Sequence, residues 1–207
     1  MPNRAAISCV HCGKSLNRRN SSRDHVPSRF LLKRPFPAEL STIRICVKCN
    51  ASFAPDEEYF GAFLGFMISD GLDTRVADLE KRISSNWRLQ DHFLESAHVG
   101  QSETSAQIWV EPDETRLLRV FQKNAMGHRA IDKKGQRIPP PDANVMAPLA
   151  SIIGTPAEKC FASSENWQIV QKHTYLFQII NAGHRICVRT VIRELLVGES
   201  VWGTPGS

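Results

Sequence analysis

Cys9-Val10-His11-Cys12, then Ser22-Arg23-Asp24-His25-Val26-Pro27, then Cys46-Val47-Lys48-Cys49-Asn50: these three runs decide how the chain folds. A Cys-x-x-Cys pair bends into a tight knuckle that aims two sulfurs at one ion, and two such pairs complete a tetrahedron. Cys9, Cys12, Cys46 and Cys49 are the expected ligands of one structural zinc ion. The 33 residues between the pairs suffice for two strands and an inserted loop. His11 lies inside the first knuckle, and with the geometry satisfied by sulfur its ring is expected to face solvent. One ion would staple a segment too small to hold itself, and would bring Asp24, His25 and Asn50 close to one another.

Those three residue types suit the hydrolysis of a phosphodiester. The reaction needs an activated water, charge stabilisation on the phosphate and relief of charge on the leaving oxygen. A neutral imidazole takes a proton from water near pH 7, which makes His25 the candidate base. A hard divalent cation, Mg2+ or Mn2+, serves the other two needs and takes few protein oxygens, here Asp24 and Asn50. Adjacent residues of a regular strand point to opposite faces. Joint use of Asp24 and His25 therefore calls for a twist or bulge between them.

Charge is spread unevenly. Residues 1–50 hold ten Lys and Arg against two acids, and the remainder sixteen against nineteen. The basic field lies on the metal-binding segment and points to a polyanion, DNA being the expected partner. Seven of the ten are Arg, the side chain suited to bidentate phosphate contact. Arg18, Arg19, Arg23, Arg29, Lys33 and Arg34 are the candidate phosphate contacts, although a solvated basic face reads the same way. The longest apolar-rich stretch, Phe60 to Ile68, is too short to span a bilayer. The first residues lack the apolar core of a secretory signal. A cytoplasmic protein with no membrane partner is expected, and in that reducing setting paired cysteines read as metal ligands. Cys160 and Cys187 read as buried free thiols.

The chain divides near residue 70. Ser22 to Val26 and Ile43 to Cys46 read as strands, with an irregular, proline-bearing excursion over Phe30 to Leu40. Pro55-Asp56-Glu57-Glu58 reads as a helix start, Pro in the first turn and acids on the positive end of the dipole, and the helix runs to about Ser69. Beyond it, spacing predicts helices over Asp73–Ser84 and Pro112–Met126 and a loop over Lys133–Asp142. Strands are expected over Gln107–Val110, Trp167–Val170, Thr174–Ile180 and Arg185–Ile192. The fold class is α+β: residues 1–69 form a zinc-stapled module and residues 70–207 an accessory helix-and-strand region carrying no reaction motif.

Cys-x-x-Cys, Asp-His-Val-Pro and Cys-x-x-Cys-Asn closely resemble the HNH endonucleases, the ββα-metal nucleases with a four-cysteine zinc. The resemblance covers residues 9–69. It implies a strand-strand-helix core in which Asp24 is the carboxylate metal ligand, His25 the general base and Asn50 the closing ligand on the helix side. The family's middle Asn, which orients the base through its backbone, has no counterpart. Ser41 stands nine residues before Asn50 and is the candidate in its place, with Glu39 and Thr42 the other polar residues nearby. The Asp56-Glu57-Glu58-Tyr59-Phe60 extension looks like one bacterial branch of these proteins. Glu57 and Glu58 have a bland reading as dipole complements and a sharper one as metal or supporting ligands. The competing functional reading is a zinc ribbon that binds nucleic acid without cutting it.

Overall fold

The computed structural model describes residues 7–68, 89, 91, 95–101, 106–162 and 166–203. The expected helix over Asp73–Ser84 lies outside them. Strands β1 (Ser21–His25) and β2 (Thr42–Cys46) form an antiparallel pair, and helix α1 (Val47–Ile68) follows β2 directly. Between the strands the chain makes only a short 3-10 turn, Arg29–Leu31. A second hairpin, β3 (Ala97–Gln101) and β4 (Ala106–Val110), precedes helix α2 (Glu114–Asp132). The C-terminal part is a five-stranded antiparallel sheet in the order β5-β9-β8-β7-β6. Its strands are β5 (Ala143–Pro148), β6 (Gln168–Gln171), β7 (Tyr175–Ala182), β8 (Arg185–Ile192) and β9 (Leu196–Trp202). Short helices α3 (Leu149–Ile152) and α4 (Glu158–Ala162) lie between β5 and β6. The chain is mixed α+β.

α1 starts eight residues before Pro55, so Pro55 is interior and Asp56, Glu57 and Glu58 do not sit at a helix start. A proline inside a helix has no N–H to give, and backbone carbonyls around it are open to other donors. Arg119 donates to the Ser52 carbonyl and Arg116 to the Pro55 carbonyl, each at 2.8 Å. The acids at 56 and 57 face the cations of α2 instead of a dipole. Asp56 pairs with both Arg116 and Arg119, and Glu57 pairs with Lys123.

α2 is the hub. Leu117, Val120 and Phe121 join a core with Leu31, Leu32, Tyr59, Phe60, Leu64, Tyr175 and Ile192. One turn further, Ala125, Met126 and Ala130 join a second core with Cys9, Val10, Val26, Ile43, Ile45, Val188 and Trp202. Both cores cross the division near residue 70, so the two parts share their apolar interior. Asp113 caps α2 by accepting from the Arg116 N–H. The irregular excursion after β1 is held to the C-terminal sheet: Gln171 exchanges bonds with the Lys33 backbone at 2.8 and 2.9 Å, and Arg193 donates to the carbonyls of Phe30, Leu31 and Leu32.

At Gly198 on β9, a Cβ would stand 2.5 Å from the Phe121 ring and 2.8 Å from the Val145 carbonyl. The backbone oxygen cannot give way as a side chain can. Gly198→Ala is expected to destabilise the fold by about 1–3 kcal/mol. Chemical denaturation measures this, and an unchanged midpoint would show that α2 and β9 do not meet as described.

Candidate metal centre and basic face

The two knuckles are built differently. The first is a small hairpin in which Cys9 N–H donates to the Lys14 carbonyl at 2.8 Å and Gly13 N–H to the Cys9 carbonyl at 2.9 Å. Gly13 has φ +75, which a residue without a Cβ adopts freely. The second spans the junction of β2 and α1, where Cys49 N–H points at the Cys46 sulfur at 3.3 Å. All four sulfurs lie within 4.8 Å of one another. A tetrahedral zinc with bonds of about 2.3 Å sets its sulfurs about 3.8 Å apart; Cys12 Sγ and Cys46 Sγ are 3.8 Å apart. Burial opposes ionisation of Cys46, yet hydrogen bonds from the Cys49 backbone and neighbouring thiols bring it down to about 7. The cluster can hold a metal ion such as zinc.

His11 does not face solvent. Its ring meets Phe53 edge-on at 4.9 Å, and Nε2 is buried without a partner. Burial, with the charge of Lys123 adding to it, lowers its pKa to about 4. Phe53 in turn lies 5.5 Å from the Lys123 ammonium, so one aromatic ring links the first knuckle to the region around Asp24.

The β1–β2 ladder pairs Ser22 with Ile45, Arg23 with Arg44, Asp24 with Ile43 and His25 with Thr42, without a register shift. The expected bulge between Asp24 and His25 is not there: a continuous ladder through His25 sets the two side chains on opposite faces. Ser22 and Asp24 share the face turned to the helices. Asn50 on α1 donates its amide Nδ2 to Ser22 Oγ at 3.3 Å, and its Oδ1 is the end of the amide that can accept. Asp24 is buried, and its Oδ1 accepts from Lys123 Nζ at 2.9 Å. Its Oδ2 is buried with no hydrogen-bond partner. Burial raises the Asp24 pKa, against the lowering by Lys123. A buried carboxylate oxygen without a partner is a hard donor of the type a divalent cation takes.

The opposite face carries His25, and antiparallel partners share a face. Arg23 and Arg44 are therefore on it with His25, both exposed. Burial, followed by the charge of Arg29, lowers the His25 pKa below its ordinary value. Ser41 is exposed, and its backbone carbonyl accepts from Val26 N–H at 2.9 Å, next to the His25–Val26 peptide. Arg18 and Arg19 are exposed in the turn before β1. Arg29 and Arg34 each stack on Phe36, at 5.5 and 5.4 Å. Lys33 is half-buried.

Sequence reading misses Lys123, Ser28 and Arg44. Lys123 Nζ donates to Asp24 Oδ1, to Ser28 Oγ at 3.0 Å and to Glu57 Oε1 at 2.5 Å, while Ser28 Oγ donates to Glu57 Oε1 at 2.6 Å. The signal in the chain is the spacing of Arg116, Arg119 and Lys123, which places three cations on one side of a helix opposite the acids of α1. His128, whose spacing suggests no chemistry, is a core residue. It stacks on Phe177 at 3.6 Å, bonds Tyr175 Oη at 3.0 Å, and is held neutral by burial, which lowers its pKa to about 3. Cys187 is buried, but Cys160 is only half-buried. Among the described residues no helix is long and apolar enough to cross a membrane. Comparison with protein-family models, curated proteins and solved structures finds no match.

Proposed function

We propose that the chain is a metal-dependent endonuclease of the HNH type that hydrolyses phosphodiester bonds of DNA. The observation that carries the reading is Asp24: one carboxylate oxygen is buried and unpartnered, on the strand face that also receives the Asn50 amide, with His25 the next residue along. Asp24 and Asn50 would hold Mg2+ or Mn2+, which when bound stabilises charge on the phosphate and the leaving oxygen. Cys9, Cys12, Cys46 and Cys49 would hold a structural zinc that fixes Asn50 directly after the last knuckle. His25 ends the β1–β2 ladder. The regular ladder sets it on the face opposite Asp24, so the mechanism requires the imidazole to turn past the free end of β1 toward the ion; there, neutral, it would take the proton of the attacking water at a ring nitrogen. Arg23 and Arg44 flank it on the same face and hold phosphate oxygens, and Ser41 stands in the chain position that supports the backbone beside the base. Arg18, Arg19, Arg29, Lys33 and Arg34 extend the basic surface along the DNA backbone.

A plasmid-nicking assay with Mg2+ or Mn2+, with and without EDTA, tests this directly. Cleavage that needs the added ion supports the reading. The second reading, a zinc ribbon that binds nucleic acid without cutting, is favoured by one observation: an ammonium already partners Asp24. DNA binding with no cleavage under any divalent ion would select it.

Affinity on either reading is mainly electrostatic and resides in the N-terminal part. Replacing Arg18, Arg19 and Arg23 by Gln is expected to weaken binding to unrelated sequences alike, with the salt slope falling by about one unit for each phosphate no longer neutralised. Fluorescence anisotropy across a salt series measures this. A slope unchanged in the triple variant would place the DNA-binding surface elsewhere.

A further inference from the structure

The seat around Asp24 already contains a cation, and the chain supplies it. Lys123 Nζ has three donors, and three oxygens from three segments take them: Asp24 Oδ1 on β1, Ser28 Oγ in the turn after β1 and Glu57 Oε1 on α1. The Lys123 side chain is 2% exposed and that of Asp24 9%, while Glu57 keeps 25% of its side chain open to solvent, so the seat is buried on the Asp24 side and open at Glu57. An ammonium and a divalent metal ion ask the same of their surroundings, namely negative charge and oxygen donors. The seat offers more acceptor capacity than the ammonium uses, because Asp24 Oδ2 has no partner. Charge points the same way. Two carboxylates facing one ammonium leave the seat with one negative charge in excess, and a divalent ion in place of the ammonium would balance it.

We propose that Lys123 is a displaceable stand-in for the divalent cation. It holds the seat closed in the free protein, and when it swings out the entering ion gains Glu57 as well as Asp24 as ligands. This rests on the reading of Asp24 as the cation's carboxylate. It assigns α2 a part in the proposed reaction, as the element that decides when the ion is admitted. It also gives Glu57 the role of a metal ligand, in exchange for its bond to Lys123.

Mn2+ binding to the full chain tests the proposal, read by the electron paramagnetic resonance signal of free Mn2+ and by the shift in melting temperature. Lys123→Met removes the competing charge and leaves Asp24 and Glu57 without a counter-ion. It is expected to bind Mn2+ about tenfold or more tightly than the wild type. Adding Glu57→Gln in that background is expected to return most of the gain. Equal affinity of wild type and Lys123→Met, with both losing Mn2+ on Asp24→Asn, would overturn the displacement while leaving Asp24 as a ligand. Binding that Asp24→Asn does not alter in either protein would overturn both readings. A gain that survives Glu57→Gln unchanged would remove Glu57 from the proposal. If Lys123→Met does not fold, Lys123→Gln, which keeps a donor but no charge, takes its place with the same outcomes. If neither folds without Mn2+, folding restored by Mn2+ supports the proposal and failure to restore it overturns it.

Discussion

His25→Ala is expected to lower single-turnover DNA cleavage by about 10²- to 10⁴-fold, the usual cost of losing a general base, and to leave DNA affinity almost unchanged. In the proposed mechanism the imidazole acts on the attacking water, whereas phosphate affinity would come from the arginines around it. The pH dependence carries a second, independent signature. Burial and the nearby Arg29 charge lower the His25 pKa below its ordinary 6.5. The base must be unprotonated to work, so the midpoint of the acid-side decline in cleavage should lie below pH 6.5. In His25→Ala that acid limb should vanish from whatever activity is left. Equal rates in wild type and variant under single-turnover conditions would remove His25 from the mechanism. An acid limb that persists in the variant would assign it to another group.

The second large effect concerns the four thiolates. Replacing Cys46 by Ser, or stripping the metal with a strong chelator, is expected to unfold the N-terminal part first. Binding free energies of about 10–16 kcal/mol for structural zinc in small domains show how much of such a fold resides in the metal. Cys9 and Cys46 are buried inside the core that holds Val10, Val26, Ile43 and Ile45, so the loss spreads into packed apolar residues. Metal content by atomic absorption and thermal unfolding by circular dichroism measure both halves of the claim. Purified protein that contains no zinc and melts cooperatively at the same temperature with and without chelator would refute it.

The N-terminal elements are legible because local chemistry dictates them. Paired cysteines mark the knuckles, Pro27 closes β1, and the alternation of Ile43 and Ile45 marks β2. The start of α1 is misread because Pro55 and three acids imitate a helix start. Their partners, Arg116, Arg119 and Lys123, lie sixty or more positions away, and no local pattern reports them. β5 and β9 escape the sequence for a related reason. β9 is buried at nearly every position, and β5 reads Ala-Asn-Val-Met-Ala-Pro with no alternation of apolar and polar residues, so neither carries the pattern that marks a half-buried strand. At the candidate site the ligand types can be read off the chain, but not the face each occupies. The regular pleat of β1 separates His25 from Asp24, and its register against β2 adds Arg44, which the sequence alone leaves open.

The reach of α2 into the site has a consequence for how the protein is made. Asp24 leaves the ribosome 99 residues ahead of Lys123, Ser28 leads Asn124 by 96, and Lys33 leads Gln171 by 138. For the last 66 residues of the first interval Asp24, Ser28 and Glu57 have all been made while Lys123 has not, and the excursion loop still lacks Gln171. The order of synthesis therefore makes the two carboxylates before the lysine that pairs them, and on the proposed displacement a divalent ion would have the first opportunity to occupy them.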